Sequence, residues 1–462
     1  MKSTFRGGVH PKEKKELAKD APLRIFDPKG EMVFPLSMHI GKPAKPVVKR
    51  NDPVLAGQCI AEADGFISAN VICSCSGKVK AIEKRRTISG ALLDCIVVEN
   101  DGQFTLMEGI GEERDLSTVT NEEIIEAVKK AGIVGLGGAG FPTNVKLMPK
   151  NPDGIRYVIA NGAECEPYLT CNDRLMQEKA SEILDGLELM LRLFKNAEGV
   201  VCIEKNKPEA IRAMQEALAG RSRITVHPLK TKYPQGAEKM LIKVISGREV
   251  PMGGLPMDVG AVVQNVGTVA AIADAVEHGL PLTERITTVT GDAIREPKNL
   301  RIRIGTSYQA AIDYCGGFKQ QPKKLIAGGP MMGMAQATAE VPVMKGSSGI
   351  LALTAQKVDH GPEMNCIRCG KCVKACPMGL VPSMLSILSE RQAYDACRDE
   401  YGLMNCVECG CCTFVCPAKR NIVQYIKNAK GVIRAEQMKA KAAAEAKKKA
   451  QEAAEAKKEA EK

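Results

Sequence analysis

Cys366-x2-Cys369-x2-Cys372-x3-Cys376-Pro377 is followed by a second copy of the same spacing, Cys406-x2-Cys409-x2-Cys412-x3-Cys416-Pro417. Thiolates three positions apart on a tight loop grip three irons of a cubane. In paired motifs of this kind the fourth iron is reached by the last cysteine of the other copy. The expected assignment is therefore crossed: one [4Fe–4S] cluster on Cys366, Cys369, Cys372 and Cys416, the second on Cys406, Cys409, Cys412 and Cys376. Pro377 and Pro417 end each loop by fixing φ and removing an amide donor. CxxC pairs also bind zinc, but zinc has no use for a third cysteine at the same spacing, nor for a trailing Cys-Pro, in both copies. The pattern reads as a carrier of single electrons.

Of 18 cysteines in the 462 residues, ten lie outside these motifs, mostly in apolar or Gly-rich contexts. They read as reduced, buried thiols, and the opening MKSTFRGGVH has no apolar stretch of the kind that directs export. The longest uncharged runs, Val259–Ala273 and Leu325–Ala339, fall short of the ~20 residues a bilayer requires. No transmembrane segment is expected. The net charge of +11 is spread along the chain, which suits an acidic protein partner or an anionic membrane face. Nucleic acid is not expected: there is no aromatic-rich basic patch and no Trp.

The punctuation of the chain divides it into 1–115, 116–284, 285–357, 358–430 and 431–462. The first region reads as all-β, with short strands at Gln58–Ile60, Gly65–Ile67 and Gly77–Ile82 between Gly, Pro and Asp. GFISANVICSCSGKVKAIE resembles a lipoyl-like half-barrel without the usual modified-lysine hairpin tip, so Lys78 reads as structural. Cys73 and Cys75, alternating on a strand, are expected to point one in and one out. From about 118 the period changes. Thr120-x-x-Glu123 is a capping box and Gly132 is placed to end the helix it opens. Strands at Tyr157–Ala160, Val200–Ile203 and Ile224–Val226 alternate with helical segments near 173–194, 208–219 and 236–246, an α/β layer on a largely parallel sheet. Residues 285–357, with strands Ile286–Thr290, Leu300–Ile304 and Lys323–Ala327, read as a β-grasp-like (SLBB-type) module. The expected fold is thus multidomain α/β with β modules, followed by an α-helical double [4Fe–4S] ferredoxin domain. The Ala/Lys/Glu-rich tail has helix propensity without an apolar stripe and is expected to be solvated and partly helical.

Gly135-Leu-Gly137-Gly138-Ala-Gly140 satisfies G-x-G-x-x-G, but a capped helix rather than a strand precedes it, and Phe141-Pro142 follows. An ordinary dinucleotide fingerprint is disfavoured. The glycines still let backbone approach a ligand and offer amides to phosphate. GLGGAGFPTNVK (135–146) and YVIANGAECEPYLTCNDRLM (157–176), with Tyr233-Pro-Gln-Gly236-Ala-Glu238 and Gln264-Asn265-Val266-x-Thr268, resemble the flavin-binding subunit of the respiratory NADH dehydrogenase superfamily. Together with FRGGVHPKEKK near the start, the half-barrel and the double ferredoxin domain, residues 1–430 are similar to the C-subunit family of the Rnf complex. That complex is the ion-translocating ferredoxin:NAD oxidoreductase of bacterial membranes.

The resemblance implies FMN and NAD(H) beside the two [4Fe–4S] clusters. Gly135, Gly137, Gly138 and Gly140 would line the FMN, Lys146 would meet its polar groups, and Asn161, Glu164 and Glu166 would form the acidic loop. Phe141 would stack a nucleotide ring, with Tyr233, Glu238, Gln264, Asn265 and Thr268 completing the site. Ala163, Ala237 and Leu147 stand where the family usually has Asp, Glu and Trp. The chemistry is coherent, since a flavin accepts a hydride and releases electrons singly. The implied partners are the other subunits of a membrane redox complex, and ferredoxin directly or through them, at the cytoplasmic side of the cell membrane. Two other readings remain: a soluble NADH-dependent flavin/iron–sulfur reductase, such as a corrinoid reductase or bifurcating-enzyme subunit, and a ferredoxin-like wire with a vestigial nucleotide fold.

Among lesser features, Arg368, Lys371 and Lys374 alternate with the first ligands, a charge that suits an acidic donor. Cys411 is expected to point away from its neighbour Cys412, Cys397 to lie in the core, and the five scattered histidines to be structural.

Overall fold

The computed structural model describes residues 3–358 and 361–460. They form two compact units, one of residues 3–5 and 10–358, the other of 6–9 and 361–460.

In the first unit, strands Glu31–Pro35, Leu92–Asn100, Gly77–Arg86 and Pro53–Val54 make an antiparallel sheet in that order. Lys45–Pro46, Cys59–Glu62 and Val71–Ile72 make a second. Met32, Phe34, Val79, Ile96 and Val98 are fully buried between them, which is the half-barrel core. At Gly77 a Cβ would run into the Glu99 carbonyl of the neighbouring strand, so only glycine fits there. Two expectations fail. Gly65–Ile67 is a bend rather than a strand, because Gly65 has φ +126°, outside the β region, and Phe66 stands 73% exposed. Cys73 and Cys75 are both fully buried with their sulfurs 3.9 Å apart, because side chains two residues apart on extended chain share a face and go in together rather than one in and one out.

The α/β layer has four parallel strands in the order Ile224–Leu229, Glu198–Glu204, Tyr157–Asn161, Ala261–Asn265. Val158–Ala160 and Val200–Ile203 are buried throughout, as expected of parallel strands covered on both faces. The helical segment read as 173–194 is two helices, Cys171–Glu178 and Ala180–Arg192, broken at Lys179 with φ −139° and ψ 45°. A Cβ on Gly186 would meet the Val269 carbonyl, so Ala180–Arg192 and Val266–Glu277 pack backbone to backbone there. The chain moves outward from Tyr157–Asn161 to Ile224–Leu229, then returns to the other side of Tyr157–Asn161 as Ala261–Asn265. In open α/β sheets such a reversal of strand order, at the carboxyl ends of the strands, is where ligands bind.

A third, six-stranded mixed sheet runs Leu23–Phe26, Lys298–Arg303, Glu284–Thr290, Gly349–Leu353, Lys324–Ala327, Met334–Gln336, with helix Tyr308–Tyr314 on its core. Its first strand comes from the region read as part of the N-terminal β domain. Leu23 pairs in parallel with Asn299, and the Asn299 side-chain amide donates to the Ala18 and Ala21 carbonyls at 2.8 and 3.1 Å.

The second unit is helical: Lys371–Ala375, Pro382–Glu390, Tyr394–Asp399, Cys411–Phe414 and Ile422–Ala460. Leu385, Cys397, Leu403, Ile422, Ile426, Ala429 and Ile433 form its core. Residues 6–9 join it, Gly8 N–H donating to the Ala375 carbonyl at 2.9 Å. The tail is a continuation of the last core helix, its residues from Arg434 to Lys441 exposed.

Candidate cofactor sites

Helix Asn121–Lys130 opens with Thr120 accepting from Glu123 N–H while the Glu123 carboxylate accepts from Thr120 N–H. Two residues beyond Gly132, Val134 bridges Pro142, and Gly135 N–H donates to the Phe141 carbonyl at 2.9 Å, closing the glycine loop. Leu136 pins it from beneath: its N–H donates to Thr268 Oγ1 at 3.0 Å, and Arg285 Nη2 donates to its carbonyl at 2.9 Å. Gly137, Gly138 and Ala139 are left as an exposed crest. A Cβ on Gly137 would lie 2.8 Å from Asn265 Nδ2, whereas one on Gly138 would meet nothing within 4 Å. Gly140, at φ +72°, accepts from Ile40 N–H at 3.1 Å.

The crest stands beside the strand ends. Asn161 and Asn265 are register partners at the last positions of their strands. Asn265 caps Val266–Glu277 by accepting from Gly267 N–H at 2.9 Å, while Asn161 donates to the Gly236 carbonyl at 2.8 Å. Lys146 Nζ bonds both Glu238 Oε1 at 2.6 Å and the Val263 carbonyl at 2.7 Å. Gly137, Asn161, Asn265 and Thr268 thus gather about the ends of these two strands, with Lys146 and Glu238 held against Ala261–Asn265, each by its own bonds or contacts rather than in one network. Gln264, next in chain to Val263, is 2% exposed, and its Nε2 has no partner among the described residues. Phe141 is half-buried. A surface glycine crest, a buried unpaired amide donor and one cation at a strand-order reversal fit a planar ligand carrying carbonyl and phosphate oxygens, as FMN does.

The two acids of the loop 161–166 behave differently from expectation. Glu164 caps the helix Cys171–Glu178, accepting from Asn172 N–H at 2.7 Å and Asp173 N–H at 3.3 Å. A carboxylate at a helix N-terminus is favoured by the helix dipole. Lys15 lies 3.9 Å from it and donates to the carbonyls of Glu164, Glu166 and Leu169; burial pushes the Lys15 ammonium pKa down. Glu166 accepts from Met331 and Met332 N–H at 3.0 and 2.9 Å and from the buried Tyr233 hydroxyl at 3.3 Å. Burial raises its carboxyl pKa. Both side chains are therefore taken by protein groups, because the loop must be held against the third sheet. Sequence reasoning misses Lys15, Arg285 and the 331–332 amides. Lys15 sits in an ordinary-looking PKEKKEL run, and backbone donors leave no mark in sequence.

In the second unit each cavity draws three cysteines from one motif and one from the other. Cys366, Cys369, Cys372 and Cys416 line one. Cys376, Cys406, Cys409 and Cys412 line the other. Four thiols converging on one void, three from one motif and one from the other, fit a cubane. Cys411, expected to point away, is fully buried and lines the second cavity as well, because its helix Cys411–Phe414 starts at the cavity wall. Burial pushes the Cys406 thiol up to about 11, so metal binding there displaces a proton. Glu408 N–H donates to Cys406 Sγ at 3.3 Å and Leu380 N–H to Cys376 Sγ at 3.4 Å, amides that would stabilise bound thiolates.

Comparison with known proteins matches four successive stretches of the chain. Residues 3–103 match the RnfC barrel sandwich hybrid domain, 128–274 the Nuo51 FMN-binding domain, 286–335 the SLBB domain and 365–420 the 4Fe-4S dicluster domain. These define an electron-transfer protein with a flavin domain and a two-cluster domain. The chain is 51% identical over 442 residues to the C subunit of the proton-translocating ferredoxin:NAD(+) oxidoreductase complex of Clostridium ljungdahlii, covering 96% of each. It is 48% identical over 437 residues to the C subunit of the Na(+)-translocating complex of Acetobacterium woodii, covering 94% of this chain and 98% of that one. The chain belongs to the Rnf C-subunit family of ion-translocating ferredoxin:NAD oxidoreductases. No helix among the described residues is long and apolar enough to cross a membrane.

Proposed function

We propose that this chain exchanges electrons between NAD(H) and an FMN held over the strand ends at Asn161 and Asn265, and relays them singly through two [4Fe–4S] clusters. The crossed sets Cys366, Cys369, Cys372, Cys416 and Cys406, Cys409, Cys412, Cys376 hold those clusters. Other subunits of the complex receive or supply the electrons, with ferredoxin as the further partner, at the cytoplasmic face of the membrane. Bound flavin supplies the conversion between hydride and single electrons.

The observation that carries this reading is the glycine crest, anchored beneath by Thr268 and Arg285 and bare above. The crest amides and Gln264 Nε2 serve as donors to the flavin. Lys146, steadied by Glu238, supplies positive charge, and Phe141 and Tyr233 border the nucleotide side. Glu164 and Glu166 shape the loop and hold it in place. Because a Cβ at Gly138 meets nothing, Gly138→Leu folds normally and fills only ligand space. Anaerobically purified wild type should carry flavin that NADH bleaches, and the variant should lack it. Stoichiometric flavin bleached normally by NADH in the Gly138→Leu protein overturns the site.

A further inference from the structure

The two ligand loops share a backbone but present opposite surfaces. Arg368 and Glu408 hold the same place in the two copies, with φ of 54° and 57°. In the second copy Glu408 is half-buried and bound by Lys430 Nζ at 2.6 Å; Lys430, itself buried, also donates to the Cys406 carbonyl at 2.8 Å. The places of Lys371 and Lys374 are taken there by Cys411 and Phe414, so that loop carries no cation of its own. In the first copy Arg368, Lys371 and Lys374 are all exposed, and none makes an ion pair among the described residues. Ile367 between them is 67% exposed and Met364 53%. The ligand Cys369 is exposed too, whereas its counterpart Cys409 is buried. The one acid beside this face, Glu363, is engaged by Arg420 at 3.8 Å and Asn421 at 3.0 Å, and an apolar centre with a mainly cationic rim is the anatomy of a protein contact, not of an ordinary solvated loop.

We propose that the loop of the first cluster, with Met364, Ile367 and Cys369 at its centre and Arg368, Lys371 and Lys374 around them, is the docking face for an acidic one-electron carrier protein. The second cluster is the interior one. This rests on the electron path from NAD(H) through flavin to the clusters and adds where that path meets a partner. An exposed ligand brings the partner's centre close, and three unpaired cations steer an acidic surface onto it. One electron crosses per encounter: the centre on one side is oxidised by one as the other is reduced by one, with no proton moved and no bond made or broken.

The test uses the full-length, cluster-loaded chain with an acidic two-cluster ferredoxin as probe. Affinity is measured at low and high salt for wild type and for Arg368→Glu/Lys371→Glu/Lys374→Glu. Glutamate suits position 368, since Glu408 occupies the same left-handed conformation in the other copy. At low salt the variant should bind about 10- to 100-fold more weakly, with the gap closing to about 2- to 3-fold at roughly 0.5 M salt. Basic cytochrome c should show the opposite preference. If charge reversal impairs iron loading, Arg368→Gln/Lys371→Gln/Lys374→Gln should give a smaller loss of the same sign. Unchanged ferredoxin affinity in a loaded variant overturns the proposal, and so does a loss confined to binding of phosphatidylglycerol vesicles, which would make this a membrane face. Flavin bleaching by NADH, read separately, reports on the underlying electron path.

Discussion

Lys345 offers a sharp test of how the first unit is held together. Its side chain is fully buried and donates to two backbone carbonyls, Asn70 at 2.5 Å and Gly132 at 2.6 Å. It thereby ties the half-barrel to the turn that feeds the glycine loop. Burial lowers its pKa from 10.5 to about 7. A base depressed on folding binds its proton more readily unfolded, so stability rises with pH between the two values and is lost as pH falls through 7. The slope approaches about 1.4 kcal/mol per pH unit, which integrates to about 2.5 kcal/mol between roughly pH 7.5 and 9.5. Lys345→Met removes the titration and leaves two carbonyls without their donor, a loss of about 1–3 kcal/mol for each group. Urea unfolding of wild type and variant, followed by circular dichroism across this range, should show the variant's deficit widening by about 2.5 kcal/mol. A deficit that is constant or narrows as pH rises would refute the reasoning.

Other consequences are equally direct. Cys376→Ala should abolish the paramagnetic signal of the cluster on Cys406, Cys409 and Cys412 and spare the other, with Cys416→Ala the reverse; loss of the first cluster in the Cys376 variant would mean that each motif closes its own site. Glu166→Ala strips Met331 and Met332 N–H of their acceptor, which should destabilise by about 2–4 kcal/mol and speed hydrogen exchange at those amides, whereas unaltered exchange would show the bonds to be dispensable. Truncation after Ile433, a buried residue of the last core helix, should leave iron and flavin content intact. Truncation after Asn421 removes Ile422, Ile426, Ala429 and Ile433 from the core and should prevent cluster loading; equal loading in both would show that this helix does not hold the unit together.

The cysteine spacing, the capping box at Thr120 and the βα alternation after residue 155 are legible in sequence because each is a local rule with a fixed period. So is the glycine loop, read directly from Gly135, Gly137, Gly138 and Gly140. What stays hidden depends on distant segments. Glu166 reads as a free carboxylate because its partners are amides more than 160 positions away, and amides have no residue identity. Lys15 reads as one lysine in a solvated run, yet it sits inside the unit against three carbonyls. Strand Leu23–Phe26 falls to the nearest β domain on sequence grounds, since nothing in four residues marks which sheet edge they will join. Cys411 misleads for a local reason: it opens the helix Cys411–Phe414 at the cavity wall and is buried there beside Cys412.

The placement of Leu23–Phe26 also sets a timetable. This strand leaves the ribosome early, but its partner Lys298–Arg303 follows about 275 residues later, which at 5–20 residues per second is roughly 14 to 55 s. Throughout that interval the half-barrel and much of the α/β layer can form, while the first segment waits unpaired. The third sheet is thus closed across about 275 residues, by a segment made well before the strand it pairs with.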